Sequence, residues 1–262
     1  MKRKIKRFLT LVKKDVRDCF TEKTALLMTA VPVVFALVFR LLFADGSFGD
    51  MAEWMTLVCL LFNLSLLPLS VLPLLIGEEK EQGTVPTLLR AGVTPAAFLG
   101  SKVLTALAVE LFCSFLICLI NGVTGHLLLC LFCNLLATLT LLPVGGLVGI
   151  LAKDKNTVNV YSSFPVFFMM LAPIFFFLGS PLQTIKKIFP STLLTEVLQP
   201  VFLGAMPVTS DLILASLVTA AWIAAGWTVF FLEGENVDSL VAKDSDIACR
   251  KKYFTWFESS EF

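Results

Sequence analysis

Long apolar runs, broken by short clusters of charge, set the organisation of this chain. From Lys2 to Lys23, Ile5, Phe8, Leu9, Val12, Val16 and Phe20 recur at helical spacing, with Lys and Arg filling much of the rest. This pattern predicts a basic amphipathic helix over residues 1–23, lying in a membrane interface. Apolar runs follow at about 24–43, 54–76, 102–122, 127–152, 158–178 and 212–232. At a rise of about 1.5 Å per residue each is long enough to cross a bilayer as a helix. The turn Gly122-Val123-Thr124-Gly125-His126 folds the third and fourth runs into an antiparallel hairpin. Between the fifth and sixth, Ser180 to Ser210 carries Pro181, Pro190, Pro200 and Pro207 around apolar pieces too short to cross, Leu193 to Val197 and Val201 to Leu203. These predict short re-entrant helices dipping into the outer leaflet or capping the outer face, where irregular backbone must be covered by protein. The reading is an all-α integral membrane protein with six transmembrane helices over residues 24–232 and a polar tail over 233–262, disordered or resting on the interface.

One charged island interrupts this pattern. Gly77-Glu78-Glu79-Lys80-Glu81-Gln82-Gly83-Thr84 begins where the uncharged run Leu66 to Ile76 ends. Charged side chains cost several kcal/mol at bilayer depth, which places the island in water. Pro86 suits the first turn of a short helix that ends near Ala91, and Gly92-Val93 breaks it. Thr94-Pro95 then reads as an N-cap followed by proline at the first position of the next helix. A short helix in water between two spans is a shape for touching another protein.

Composition supports the membrane reading. Hydrophobic residues make up 57% of the 262 positions and charged ones only 16%, less charge than a soluble domain of this length carries. The net charge of +1 says little, but its distribution says more: nine of the 21 Lys and Arg lie in the first 23 residues. Lys80, Arg90 and Lys102 follow the second span, Lys153 and Lys155 the fourth, and four more lie in the tail, while the first and third loops have none. Only Lys186 and Lys187 run against a positive-inside arrangement with both termini in the cytoplasm. The basic N-terminal region is too long for a cleavable signal and no small-residue cleavage site follows. The seven Cys sit mostly inside apolar runs, as small buried hydrophobes do.

On these residues the chain resembles the permease subunit of ABC exporters of the type 2 family. Glu79-Lys80-Glu81-Gln82-Gly83-Thr84 is similar to the family's E-K-E-x-G-T run after span two, and Leu99-Gly100-Ser101-Lys102 to its small-L-G-x-K start of span three. Pro181-Leu182 through Ile188-Phe189-Pro190-Ser191-Thr192 is similar to the P-L…I-x-P-[ST] stretch ahead of the last span. The resemblance covers about residues 1–232. It implies a cytoplasmic coupling helix between spans two and three on which a separate ATPase docks, with Glu78, Glu79, Lys80, Glu81, Gly83, Thr84, Pro86, Leu88, Leu89 and Arg90 as the coupling residues. It further implies two permeases, a homodimer or a pair with a second, different permease, with two ATPases in a bacterial cytoplasmic membrane, exporting an antimicrobial peptide, drug, ion or lipid-like molecule. ATP and Mg belong to the partner ATPase, and no cofactor to this chain. No G-x-x-x-x-G-K-[ST] phosphate loop occurs here, so any ATP is bound by another chain. Two departures stand out: Pro86 implies a later helix start than the family pattern, and the tail with Arg250-Lys251-Lys252 beside Tyr253, Phe254, Trp256 and Phe257 is longer than the pattern needs.

Few residues could carry chemistry. Glu110 lies eight residues past Lys102, about 12 Å into the membrane, and intramembrane carboxylates usually face a bundle interior or a wet cavity. Arg40 is about 12 Å away in depth, so it snorkels to the outer headgroups and does not pair with Glu110. Asn63, Ser65, Glu110, Asn134, Thr138 and Ser162 are the candidates for a translocation pathway; for the uncharged ones, and for Asn121, Thr140 and Ser163, helix–helix hydrogen bonding is the other reading. Pro68, Pro73, Pro143, Pro165 and Pro173 offer kinks. Cys118, Cys130 and Cys133 fall level across the hairpin, but Leu and Phe surround them and keep thiols inert, so no metal site is assigned. His126 is the one histidine, which leaves no basis for a catalytic triad, and no catalytic residue is assigned. The competing classes are a membrane-embedded enzyme acting on lipid or isoprenoid substrates, which would need a second acidic cluster on one face, and a secondary transporter, which would tend to show inverted repeats. Nucleic acid is not an expected partner; membrane lipid is.

Overall fold

The computed structural model describes residues 2–42, 51–123, 125–171, 189, 191, 194–202, 206 and 209–258. Among them every regular element is helical: α1 (Lys2–Thr21), α2 (Lys23–Leu42), α3 (Met51–Leu66), a π-helical turn (Leu67–Val71), α4 (Leu72–Glu81), α5 (Thr84–Arg90), α6 (Pro95–Ile120), α7 (Leu127–Leu151) and α8 (Lys155–Leu171). A second π-helical turn (Leu194–Leu198), a one-turn helix (Gln199–Phe202) and a long C-terminal helix (Thr209–Glu258) follow. Among the described residues five helices are long and apolar enough to cross a membrane: Lys23–Leu42, Trp54–Glu81, Pro95–Ile120, Leu127–Leu151 and Thr209–Glu233. The expected fifth span is described only as α8, 17 residues long. The rest of it, including Pro173, lies outside the described residues, as do Asp45, Asp50, Lys186, Lys187 and most of Ser180 to Ser210. The described part of that stretch packs against protein, with Leu194, Val197, Leu198 and Phe202 buried.

The punctuation works as the residues dictate. Thr94 caps α6 by accepting a hydrogen bond from the Ala97 N–H at 3.3 Å, with Pro95 at the first position. Gly92 (φ 81°) and Gly122 (φ 78°) end α5 and α6 in the left-handed region. In each case the next N–H reaches back to close the helix end, Val93 to the Leu88 carbonyl and Val123 to the Cys118 carbonyl. α5 begins at Thr84, so Pro86 falls in its first turn and the helix does not start late.

Two helix ends and one buried face depart from expectation. The helix expected to end at Ile76 continues through Glu78, Glu79, Lys80 and Glu81, whose charges find partners on neighbouring helices. The C-terminal helix runs on past Leu232 to Glu258 where a disordered or interface-resting tail was expected; no proline interrupts that stretch. The face of α1 that is buried carries Leu11, Asp15 and Cys19, and packs on α6, while Ile5, Leu9 and Phe20 point outward.

α3, the π turn and α4 form the centre of the bundle. Pro68 has no N–H to give and its ring crowds the preceding turn, so the ladder widens and the Leu72 N–H reaches the Leu67 carbonyl. α7 lies directly against this widened turn. A Cβ on Gly145 would stand 1.8 Å from the Pro68 carbonyl oxygen, and one on Gly149 3.0 Å from the Pro73 Cα. On the other side of α7, Gly146 receives the Phe230 ring and Trp227 donates to the Leu139 carbonyl at 3.1 Å, which seats the C-terminal helix.

Candidate functional site

Four consecutive charges at the end of α4 reach four different neighbours. Successive helical residues point about 100° apart, so Glu78, Glu79, Lys80 and Glu81 together look round the whole helix. Glu78 pairs with Lys155 at the start of α8 at 3.1 Å. Glu79 turns inward and binds Lys102 of α6 and Lys14 of α1, both at 2.6 Å. Lys80 donates to the carbonyls of Gly149 (3.2 Å), Ile150 and Ala152 (2.7 Å), placing a cation on the negative end of α7. Glu81 accepts from the Lys155 backbone N–H at 3.2 Å, at the positive end of α8.

The Glu79 arm leads to a buried ion-pair network. Lys102 is 1% exposed, and its ammonium sits 2.6 Å from Asp15 Oδ1 as well as 2.6 Å from Glu79 Oε1. Ser101 donates to the other Asp15 oxygen at 2.7 Å, Thr84 donates to Glu79, and the Phe98 ring lies 5.2 Å below the lysine nitrogen. Asp15, Glu79 and Lys102 are buried, and Lys14 closes the network from the surface, where it also lies 3.7 Å from Asp18. Burial alone would lower the Lys14 ammonium, but Glu79 and the nearby Asp18 and Asp15 raise it above its ordinary value. Glu22, at the α1–α2 junction, is pulled upward by burial, yet the Ala25 N–H and Lys155 bring it below the usual carboxylate range.

Of the ten residues expected to meet a partner, Glu79 is therefore buried. Glu78, Lys80, Thr84, Pro86, Leu88 and Leu89 are half-buried, and Glu81, Gly83 and Arg90 are exposed. Sequence reasoning missed Lys14 and Asp15. Asp15 lies one turn from both Leu11 and Cys19, so an acid at the centre of a buried stripe is the signal that could have found it.

The pathway candidates divide into two groups. Asn63, Glu110 and Asn134 come together with Ser114: the Asn63 amide nitrogen donates to Glu110 Oε1 (3.1 Å) and Ser114 Oγ (2.7 Å), and the Asn134 amide nitrogen donates to the same two atoms. Thr138 donates to the Asn134 carbonyl and also lies beside the Glu110 carboxylate, whereas Ser65 donates to the Leu61 carbonyl of its own helix and Ser162 is buried apart from the cluster. Cys118, Cys130 and Cys133 are free thiols and buried. Among the described residues no group of three or more His, Cys, Asp or Glu is placed to hold a metal.

A family model described as "ABC-2 family transporter protein" matches residues 29–228. The match takes in α4, α5 and the α6–α7 hairpin, and leaves out α1 with Lys14 and Asp15. No curated protein matches the chain.

Proposed function

The chain belongs to the ABC-2 family of transporter proteins, and on that premise we propose that it is the permease subunit of an ATP-driven exporter, acting as a homodimer with two copies of a separate ATPase. The family supplies the membrane component of transport, a multi-pass and generally non-catalytic chain that works with an ABC ATPase. The finer reading is that α5 is the coupling helix, that it and both termini face the cytoplasm of a bacterial cell, and that the cargo is a hydrophobic or amphipathic molecule such as an antimicrobial peptide, a drug or a lipid.

The observation that carries this reading is the radial set of charges at Glu78 to Glu81. A helix pushed from the aqueous side moves the spans only if it is rigidly joined to them, and α4 is tied at one level to α1, α6, α7 and α8. Nucleotide-driven closure would shift α5, and the tied spans would tilt together towards the other access state. The exposed Glu81, Gly83 and Arg90 are the residues that meet the ATPase, with Leu88 and Leu89 behind them, while Glu79 and Lys80 transmit.

The pathway wall follows from exposure. α8 turns Asn156, Asn159 and Ser163 outward on one polar stripe, with Tyr161 and Phe164 beside it. Ser163 donates to the Val160 carbonyl, but side-chain amides facing lipid find no partners, so Asn156 and Asn159 fit a wet passage between two copies. Opening of the bundle would let Asn63, Glu110 and Asn134 join it. In a variant stripped of native thiols, Asn159→Cys should react with a membrane-impermeant maleimide and Leu171→Cys should not.

The test of the reading is affinity purification from native membranes. An ATPase with a phosphate loop should accompany the wild-type chain and be lost with Glu81→Lys and Arg90→Glu together. Absence of any ATPase under mild detergent would remove the engine and sink the reading.

A further inference from the structure

Asn63, Glu110, Ser114 and Asn134 are each 0% exposed, and they come from three helices, α3, α6 and α7. Both amide nitrogens touch both Glu110 Oε1 and Ser114 Oγ, so the four side chains are mutual neighbours. Three oxygens of this group, Glu110 Oε2, Asn63 Oδ1 and Asn134 Oδ1, accept no well-aligned hydrogen bond among the described residues, and the Thr138 hydroxyl lies beside the Glu110 carboxylate. In an ionised cluster all three are acceptors. Lys102, the next buried cation along α6, is about 12 Å away by helical rise and already committed to Asp15 and Glu79.

A buried carboxylate with no counter-charge costs several kcal/mol even after relaxation. A proton on Oε2 would cancel the charge, but it supplies a single donor and leaves one amide oxygen bare. One small cation reached by the carboxylate and both amide oxygens satisfies all three atoms at once. The ligands are hard oxygens, and the single carboxylate matches a single positive charge. Divalent ions prefer more anionic oxygen than this group offers.

We propose that Glu110, Asn63, Asn134 and Ser114 form a buried binding site for one alkali-metal cation of the sodium class. Glu110 is the charged ligand; the amide oxygens and the Ser114 hydroxyl are the neutral ones. The amides are the moving parts. A half-turn exchanges Nδ2 for Oδ1, so they donate to the carboxylate when the cation is absent and turn their oxygens towards it when it is present. The site lies within one chain and needs no ATPase, so it stands or falls separately from the exporter reading.

Equilibrium binding of radioactive sodium to the purified full-length chain in detergent tests this. The expected result is saturable binding of one ion per chain, lost in Glu110→Gln, weakened about tenfold or more in Asn134→Ala, and unchanged in Ser65→Ala. Competition by unlabelled lithium or potassium then ranks the alkali ions. If the wild-type chain, monodisperse and with a cooperative melt, takes up no sodium at neutral or mildly alkaline pH, the proposal is overturned and a proton is the neutralising group. Sodium binding by Glu110→Gln equal to wild type would overturn it as well.

Discussion

A lysine out of water stays charged only where its neighbours return what hydration gave, and Lys102 has Asp15 and Glu79 for that purpose. Replacing Lys102 with Met leaves the buried Asp15 without its cation and Glu79 with Lys14 alone. We expect a loss of about 3–5 kcal/mol, read as a lowered midpoint of thermal unfolding in detergent. A change below about 1 kcal/mol would mean that water reaches the network. Glu22 gives a pH-dependent counterpart. Its carboxyl is held below the ordinary range, so the stability it contributes is fully present above the unfolded carboxylate value, about 4.3, and is lost as pH falls through the lower folded value. The melting temperature should therefore hold at neutral pH and fall in the acid range, and Glu22→Gln should flatten part of that fall. An identical acid profile in the variant would refute the assignment. These roles were only half legible in the sequence. Glu110 announces itself because a lone acid in an apolar run is conspicuous. Asp15 and Lys14 sit in a helix crowded with solvent-type charges, where nothing but the spacing of Leu11, Asp15 and Cys19 distinguishes a buried acid from an exposed one.

At the scale of the element, the signals that worked were those carried by backbone chemistry. Thr94-Pro95, Gly92 and Gly122 each dictate a local conformation whatever surrounds them, and each lies where its residue type requires. The ends of the α3–α4 span and of the C-terminal helix were not legible in the same way. Whether a helix continues through Glu78 to Glu81 depends on partners 23 to 77 residues away along the chain, which periodicity does not encode. The close approach of α7 to the π turn is likewise invisible locally, although Gly145-Gly146 marks the place. Gly145→Ala puts a methyl group 1.8 Å from a main-chain oxygen that has nowhere to go. It should cost about 3 kcal/mol or force the two helices apart, whereas Gly146→Ala meets only the Phe230 ring and should be milder. Paired melting curves of the two variants decide this, and equal losses would show that the helices slide freely.

At the scale of the whole molecule, the spans behave as one block at the charged end because α1 closes the network from outside. Removing residues 2–21 strips Asp15 and Lys14 from Lys102 and Glu79. The truncated chain should still insert, yet melt lower and, when assembled with its ATPase, hydrolyse ATP without the response to cargo that the full chain gives. A response equal to that of the full chain would show that α1 is only an anchor. The same closure has a consequence for how the protein is made. Asp15 leaves the ribosome 87 residues before Lys102, and at about 5–20 residues per second that is an interval of roughly 4–17 s. For that time the N-terminal helix carries an acid whose buried partner has not yet been made, while α2 to α5 follow it. Docking of α1 is thus the step that ends the first half of biogenesis, and a ribosome stalled before Lys102 should leave α1 open to protease.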